Sequence, residues 1–230
     1  MTDAATVRMS RSHWLVRLRR HPSALLLLAQ LACVPLYALL EHARSARTLL
    51  GVFGVAILLL ALRMIRTTSA RVWPAVCLAI AVVVLNVLYL GIGRAGVLPW
   101  LAAVESLFYF HAAWRMVAYM LADRRATTDE LFAAGAAFTL LVWAFAYAML
   151  LCQALQPTAY AGAGAAGVLR GWNELLFLSF ALLSSTGIGD VVPMTGMAKA
   201  VADLEMIAGV MYLALVVSRL IGLAVAQERR

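Results

Sequence analysis

The sequence predicts an all-α membrane protein with six transmembrane helices: a domain of four, then a two-helix domain with a short re-entrant helix and an extended loop between the fifth and sixth. Three observations carry that expectation. Of 230 residues, 64% are hydrophobic and only 13% are charged, whereas a soluble domain holds about half and a quarter. Six apolar runs approach the ~20 residues that a helix needs to cross ~30 Å of hydrocarbon. The connection between the last two runs is long and contains an apolar stretch too short to cross.

Residues 1–21 are basic, with Arg8, Arg11, Arg17, Arg19 and Arg20. They leave no apolar core for a cleavable signal peptide. They act as a topology signal or, with Trp14 and Leu15 beside Arg17, Arg19 and Arg20, as a cuff on anionic lipid headgroups. The four-helix domain, 22–121, holds the runs 22–41, 48–65, 72–92 and 97–121. Arg63 and Arg66 shorten the second and snorkel to the headgroups. Residues 122–130, ADRRATTDE, form a linker in which Thr128 or Asp129 caps the fifth helix. The fifth and sixth runs are 131–155 and 198–226, within a second domain over 131–230. All six runs are continuous rather than alternating, which predicts helices and not barrel strands.

Orientation follows from the 19 Lys and Arg residues. With the N-terminus inside, only five fall outside (Arg44, Arg47, Arg94, Arg170 and Lys199). The positive-inside bias puts both termini in the cytoplasm, in a multi-pass plasma or inner membrane protein. A net charge of +8 does not imply nucleic acid, because the arginines stand at the ends of apolar runs and form no single patch.

Between the fifth and sixth runs the chain opens with QPTAYAGAGAAG and continues with WNELLFLSFALLSS. The second piece predicts a half-helix over about 171–184 that dips in from outside. It leads directly into SSTGIGDVVP, residues 184–193. Bare backbone at membrane depth is tolerated only where protein or water covers it. A helix ending near Ser184 aims the negative end of its dipole at the membrane centre, where a cation gains most. Gly187 and Gly189 permit positive φ and let successive carbonyls face one axis. With the hydroxyls of Ser185 and Thr186, this offers uncharged oxygen ligands that suit a hard cation which must leave again.

Residues 184–190, SSTGIGD, resemble the filter TTVGYGD of potassium channels. Pro193 follows the filter, LLFLSFALLSS occupies the pore-helix position, and Gly209 falls at the inner-helix hinge glycine. About 100 residues, 131–230, resemble the outer helix, pore helix, filter (185–190) and inner helix of tetrameric cation channels. The resemblance implies K+ ligands from the Ser185 hydroxyl and carbonyl and from the carbonyls of Thr186, Gly187 and Ile188, with Gly189 completing the filter. Asp190 and Ser184 become supports. One filter per chain implies a homotetramer. The sequence departs from the family at Ser185 for threonine, Thr186 for valine, Ile188 for the aromatic, and Ala181 where some relatives carry a carboxylate. These departures make a weakly selective monovalent cation pore the first alternative. A non-conducting membrane scaffold or transporter subunit is the second.

Met206, Val210, Leu213, Val217 and Ile221 share one face of the last helix. The face either packs or, as in the family, lines the cavity, with Val217 and Ile221 closing it by dewetting. Arg219 points away from that face. Gly209 is a hinge or a close-approach residue. Glu205 needs a hydrogen-bonding partner near the outer pore, and Lys199 with Asp203 forms a surface pair. Glu105 and Asn86 stand at similar depth and can bond each other. His111 is an interior histidine or a pH sensor.

A second Gly-Ile-Gly, in YLGIGRAGVLP at 89–99, reads as a chance turn, since Leu90 stands where a hydroxyl belongs and 72–92 already spans. One arginine in the fourth run, Arg115, is too few for steep voltage sensing. The cysteines Cys33, Cys77 and Cys152 lie in apolar runs as small hydrophobes. The histidines His13, His21, His42 and His111 lie on separate segments. No nucleophilic or metal-ligand constellation emerges, so neither an enzyme nor a cofactor beyond bound K+ is expected.

Overall fold

A computed structural model describes residues 22–40, 54, 57–63, 72–92, 94–122, 128–162 and 168–228. The basic segment 1–21, linker residues 123–127, loop residues 163–167 and most of the second run, 48–65, lie outside the described residues.

The described chain is nearly all helical. Its helices are α1 (Pro22–Leu40), α2 (57–63), α3 (Trp73–Ile92), α4 (Arg94–Ala122), α5 (Thr128–Leu155), α6 (Trp172–Leu183) and α7 (Gly196–Glu228). Two stretches are long and apolar enough to cross a membrane, Asp129–Leu155 in α5 and Gly196–Arg219 in α7. Ser23–Tyr37, Trp73–Tyr89 and Trp172–Leu183 form shorter apolar helices. α5 begins at Thr128, so Asp129 and Glu130 fall in its first turn, where acidic groups meet the positive end of the dipole. Both sides of the second Gly-Ile-Gly are helical, since Gly91 and Ile92 end α3 and Arg94 opens α4. No extended loop forms there among the described residues.

α5 is the central element. It packs against α1, α4, α6 and α7, and α3 reaches it through α4. The core is built on Trp143, which is fully buried with Phe108, Tyr109 and Leu140. Ile57, Leu58, Ala61 and Leu62 of α2 enter the same core. An aromatic array links it to the start of α6: Tyr37 lies 6.1 Å from both Trp143 and Trp172, and Tyr147 lies 4.3 Å from Trp172, centroid to centroid.

Polar ties fix each neighbour on α5. Ser23 Oγ of α1 donates to Asp129 Oδ2 at 3.0 Å, and Thr139 Oγ1 donates to Gln30 Oε1 at 2.7 Å. From α4, Ser106 Oγ donates to Ala144 O at 2.9 Å. From α7, Tyr212 Oη donates to Ala134 O at 2.5 Å. Between apolar helices such bonds contribute about 0.6–2 kcal/mol each.

A feature that apolar patterning does not reveal is a two-residue antiparallel ladder. β1 (Tyr160–Ala161) pairs with β2 (Val192–Pro193), Tyr160 opposite Pro193 and Ala161 opposite Val192. Met194 N–H extends the contact to Ala159 O at 2.8 Å. The ladder ties the segment before α6 to the segment after the glycine loop.

Candidate functional site

The site begins with the start of α6. Gly171 is extended and caps the helix, and its N–H donates to Glu174 Oε2 at 2.6 Å. Glu174 also pairs with the Arg170 guanidinium at 3.3 Å. Arg170 is in turn fixed to α5: its N–H donates to Gln153 Oε1 at 2.9 Å, and Gln153 Nε2 donates to Arg170 O at 3.0 Å. A short helix of 12 residues is thus anchored at its first turn by backbone and charge together.

Its other end closes in a Schellman motif. Thr186 N–H reaches back to Ala181 O at 3.0 Å and Ser185 N–H to Leu182 O at 3.0 Å. That motif requires a left-handed residue just past the cap, and Ser185 takes it with φ of +60°. The patterning assigns positive φ to Gly187 and Gly189; the positive values are found at Ser185 and at Gly187, +65°. The shift has a physical cause, because the helix stop has to be made one residue after Ser184. Ser184 Oγ donates to Phe180 O at 2.6 Å, while Thr186 Oγ1 donates to Ala181 O at 3.3 Å and lies 3.1 Å from Ser184 Oγ. Both hydroxyls therefore serve the end of α6.

Ser185, Thr186, Gly187, Ile188, Gly189 and Asp190 are all exposed on the surface of the single chain, Ile188 at 69%. Phe177 of α6 stands behind them: its ring lies 3.6 Å from the point where a Cβ on Gly189 would be. The chain then turns in at Val191, which is buried, and enters the ladder at Val192. Thr195 caps α7 by accepting from Ala198 N–H at 3.3 Å.

α7 meets α6 at Gly209. A Cβ there would stand 2.1 Å from Leu183 O and 3.0 Å from Leu183 Cα. Of the two roles that the sequence leaves open for this glycine, close approach is the one with a contact to explain it. Ala198, Ala202, Glu205, Gly209, Tyr212 and Val216 make a buried seam along α7. Met206, Val210, Leu213, Val217 and Ile221 are exposed, so this face is not consumed by packing within the chain. Arg219 faces α5 instead, 3.8 Å from Glu130. Lys199 and Asp203 are exposed and form no ion pair with each other.

Glu205 is fully buried and contacts Ser179 of α6. Ser179 Oγ also donates to Val142 O of α5 at 2.8 Å. Further from the loop, Asn86 Nδ2 donates to Glu105 Oε1 at 3.1 Å and so joins α3 to α4, as their matched depths predict. His111 Nε2 finds no hydrogen-bond partner.

Patterning does not single out Phe177, Ser179 or the acceptor Leu183 O. Ser179 carries a faint signal, as a lone hydroxyl inside an apolar half-helix. Among the described residues no group of three His, Cys, Asp or Glu is placed to hold a metal ion. What the loop offers instead is peptide and hydroxyl oxygen. The chain matches no protein-family model, no curated protein and no solved structure.

Proposed function

We propose that the protein is a potassium-conducting channel, a homotetramer whose central pathway is lined by residues 185–189 of four copies. On this reading six segments cross the membrane with both termini in the cytoplasm, α6 is re-entrant, and transport is passive, without catalysis. The observation that carries it is the junction of α6 with the loop. A short apolar helix, anchored at its start, stops in a Schellman motif and passes at once into an exposed glycine segment. Four such segments around an axis would present carbonyl oxygens in place of the water shell of a dehydrated cation. The open apolar face of α7 supports the same reading. The membrane-length stretch of α7 is 28% buried within one chain, against 61% for α5, which leaves it surface for neighbouring copies and for a cavity.

The weakly selective pore is favoured by one observation. Ile188 is exposed and has no hydroxyl with which to brace the loop from behind. The bi-ionic K+/Na+ reversal potential of the reconstituted protein separates the two readings: a large shift toward the potassium potential supports selectivity, and a potential near zero supports the alternative. Gly187→Ala tests the ion path itself. At φ of +65° a Cβ costs about 1–2 kcal/mol in every subunit, so the variant is expected to lose flux. Unaltered flux in Gly187→Ala refutes the assigned path.

A further inference from the structure

Glu205 is a carboxyl group in an apolar seam, fully buried. Among the described residues no Lys or Arg lies within ion-pair distance of it, and its Oε2 has no hydrogen-bond partner. An ionised carboxylate in such a place, without a cation, is prohibitively costly. The hydrogen bonds lead to the same conclusion. Ser179 Oγ carries one proton and touches two oxygens, Val142 O at 2.8 Å and Glu205 Oε1. A carbonyl oxygen can only accept. If Ser179 gives its proton to Val142 O, the contact with Glu205 needs a proton from the carboxyl; if it gives it to an ionised Glu205, the contact with Val142 sets lone pair against lone pair. Both contacts are satisfied only when Glu205 is a neutral acid.

From β1, Tyr160 is the titratable side chain that interacts with Glu205, with Cys152 of α5 beside it. On α6, Glu174 is held by Arg170 at the far end. On α5, Glu130 faces Arg219 near the other end of α7. On α7 itself, Lys199 and Asp203 are exposed.

We infer that Glu205, held as a neutral acid, is a positioning residue for the filter, fixing α6 to α5 and α7 through the single hydroxyl of Ser179. The functional half of this rests on the channel reading above. Ser179 lies two residues before Ala181, whose carbonyl receives the bonds that end α6 and launch the loop. Fixing Ser179 therefore fixes the turn from which Ser185 and Thr186 depart. In the tetrameric channels that residues 131–230 resemble, an aromatic stands at the position of Ile188 and in some a carboxylate at that of Ala181, and this chain has neither. The brace here comes from the inner helix.

Two measurements test it. The first is infrared difference spectroscopy of wild type against Glu205→Gln in detergent at neutral pH. It is expected to show one protonated carboxylic acid band lost in the variant; absence of that band overturns the proposal whether or not the protein conducts. The second is the K+/Na+ permeability ratio of Glu205→Gln, Glu205→Ala and Ser179→Ala. Glutamine keeps a donor and is expected to retain the wild-type ratio. Both alanine variants are expected to lose about tenfold, the weight of one buried hydrogen bond. Wild-type ratios in both, from folded tetramers that conduct, overturn the positioning role. A wild type that carries no current at all refutes the channel reading instead, and leaves the infrared result to decide the state of Glu205. At alkaline pH, wild type is expected to lose selectivity and Glu205→Gln to keep it; parallel pH profiles count against the proposal.

Discussion

Replacing Gly209 by alanine distinguishes a hinge from a contact. The added Cβ would stand 2.1 Å from Leu183 O, 2.8 Å from Leu183 C and 3.0 Å from its Cα. All three atoms are backbone at the end of α6, so no rotamer can move them aside. Relief demands a separation of the two helices by about 1 Å, and overpacking of that kind costs about 1–3 kcal/mol. The useful comparison is Gly135→Ala in α5, where the added Cβ would meet Leu27 Cδ2 at 2.8 Å. Leu27 ends in flexible atoms and can rotate, and alanine gains about 0.5–1 kcal/mol of helix propensity over glycine. Thermal denaturation in detergent is the assay. At roughly 2–4 °C per kcal/mol for a chain of this size, Gly209→Ala is expected to melt about 2–12 °C lower and Gly135→Ala to stay close to wild type. Equal midpoints for both variants would refute the close-approach account. If current through Gly209→Ala were altered at an unchanged midpoint, the hinge would be the correct description.

Three further outcomes follow from particular contacts. Asn86→Leu takes the 3.1 Å amide donor from buried Glu105, which keeps its bond to the Tyr147 hydroxyl, and is expected to cost about 1–3 kcal/mol in the same melting assay. The double variant with Glu105→Leu is not expected to recover that loss in full, because the buried Tyr147 hydroxyl then loses its acceptor. Tyr212→Phe removes only the hydroxyl that donates to Ala134 O; a loss of about 1 kcal/mol is expected, with no change in ion selectivity. Phe177→Ala takes away the ring behind Gly189 and is expected to lower the K+/Na+ permeability ratio in bilayer recordings while leaving the chain folded. A wild-type ratio would mean that the ring does not wall the loop.

The helices were legible in the sequence because their apolar runs are long and uninterrupted: 22–41, 72–92, 97–121, 131–155 and 198–226 each coincide with an observed helix to within a few residues. A short helix at 171–184 was legible for the opposite reason, the shortness of its apolar run, and one is found at Trp172–Leu183. Asn86 and Glu105 could be paired in advance because polar groups in apolar helices at equal depth have few other partners. The ladder of β1 with β2 could not, since two residues on each side carry no periodicity. Nor could the positive φ of Ser185, because a serine announces no left-handed backbone. It is imposed by the bonds that stop α6. Glu205 signalled that it required a partner, but only the crossing of α6 over α7 brings Ser179 to it.

The ties that hold α4, α6 and α7 on α5 have an asymmetry with consequences for how this protein can drift. Ser106, Ser179 and Tyr212 supply the donors, whereas the acceptors on α5 are the peptide oxygens of Ala144, Val142 and Ala134. Every residue type carries such an oxygen, so these three sites are free to change identity within the limits of volume. Their partners are not. Descendants of this chain should therefore vary at the receiving helix and hold fast at the hydroxyls opposite, a pattern that runs against the habit of seeking invariance in the most buried element.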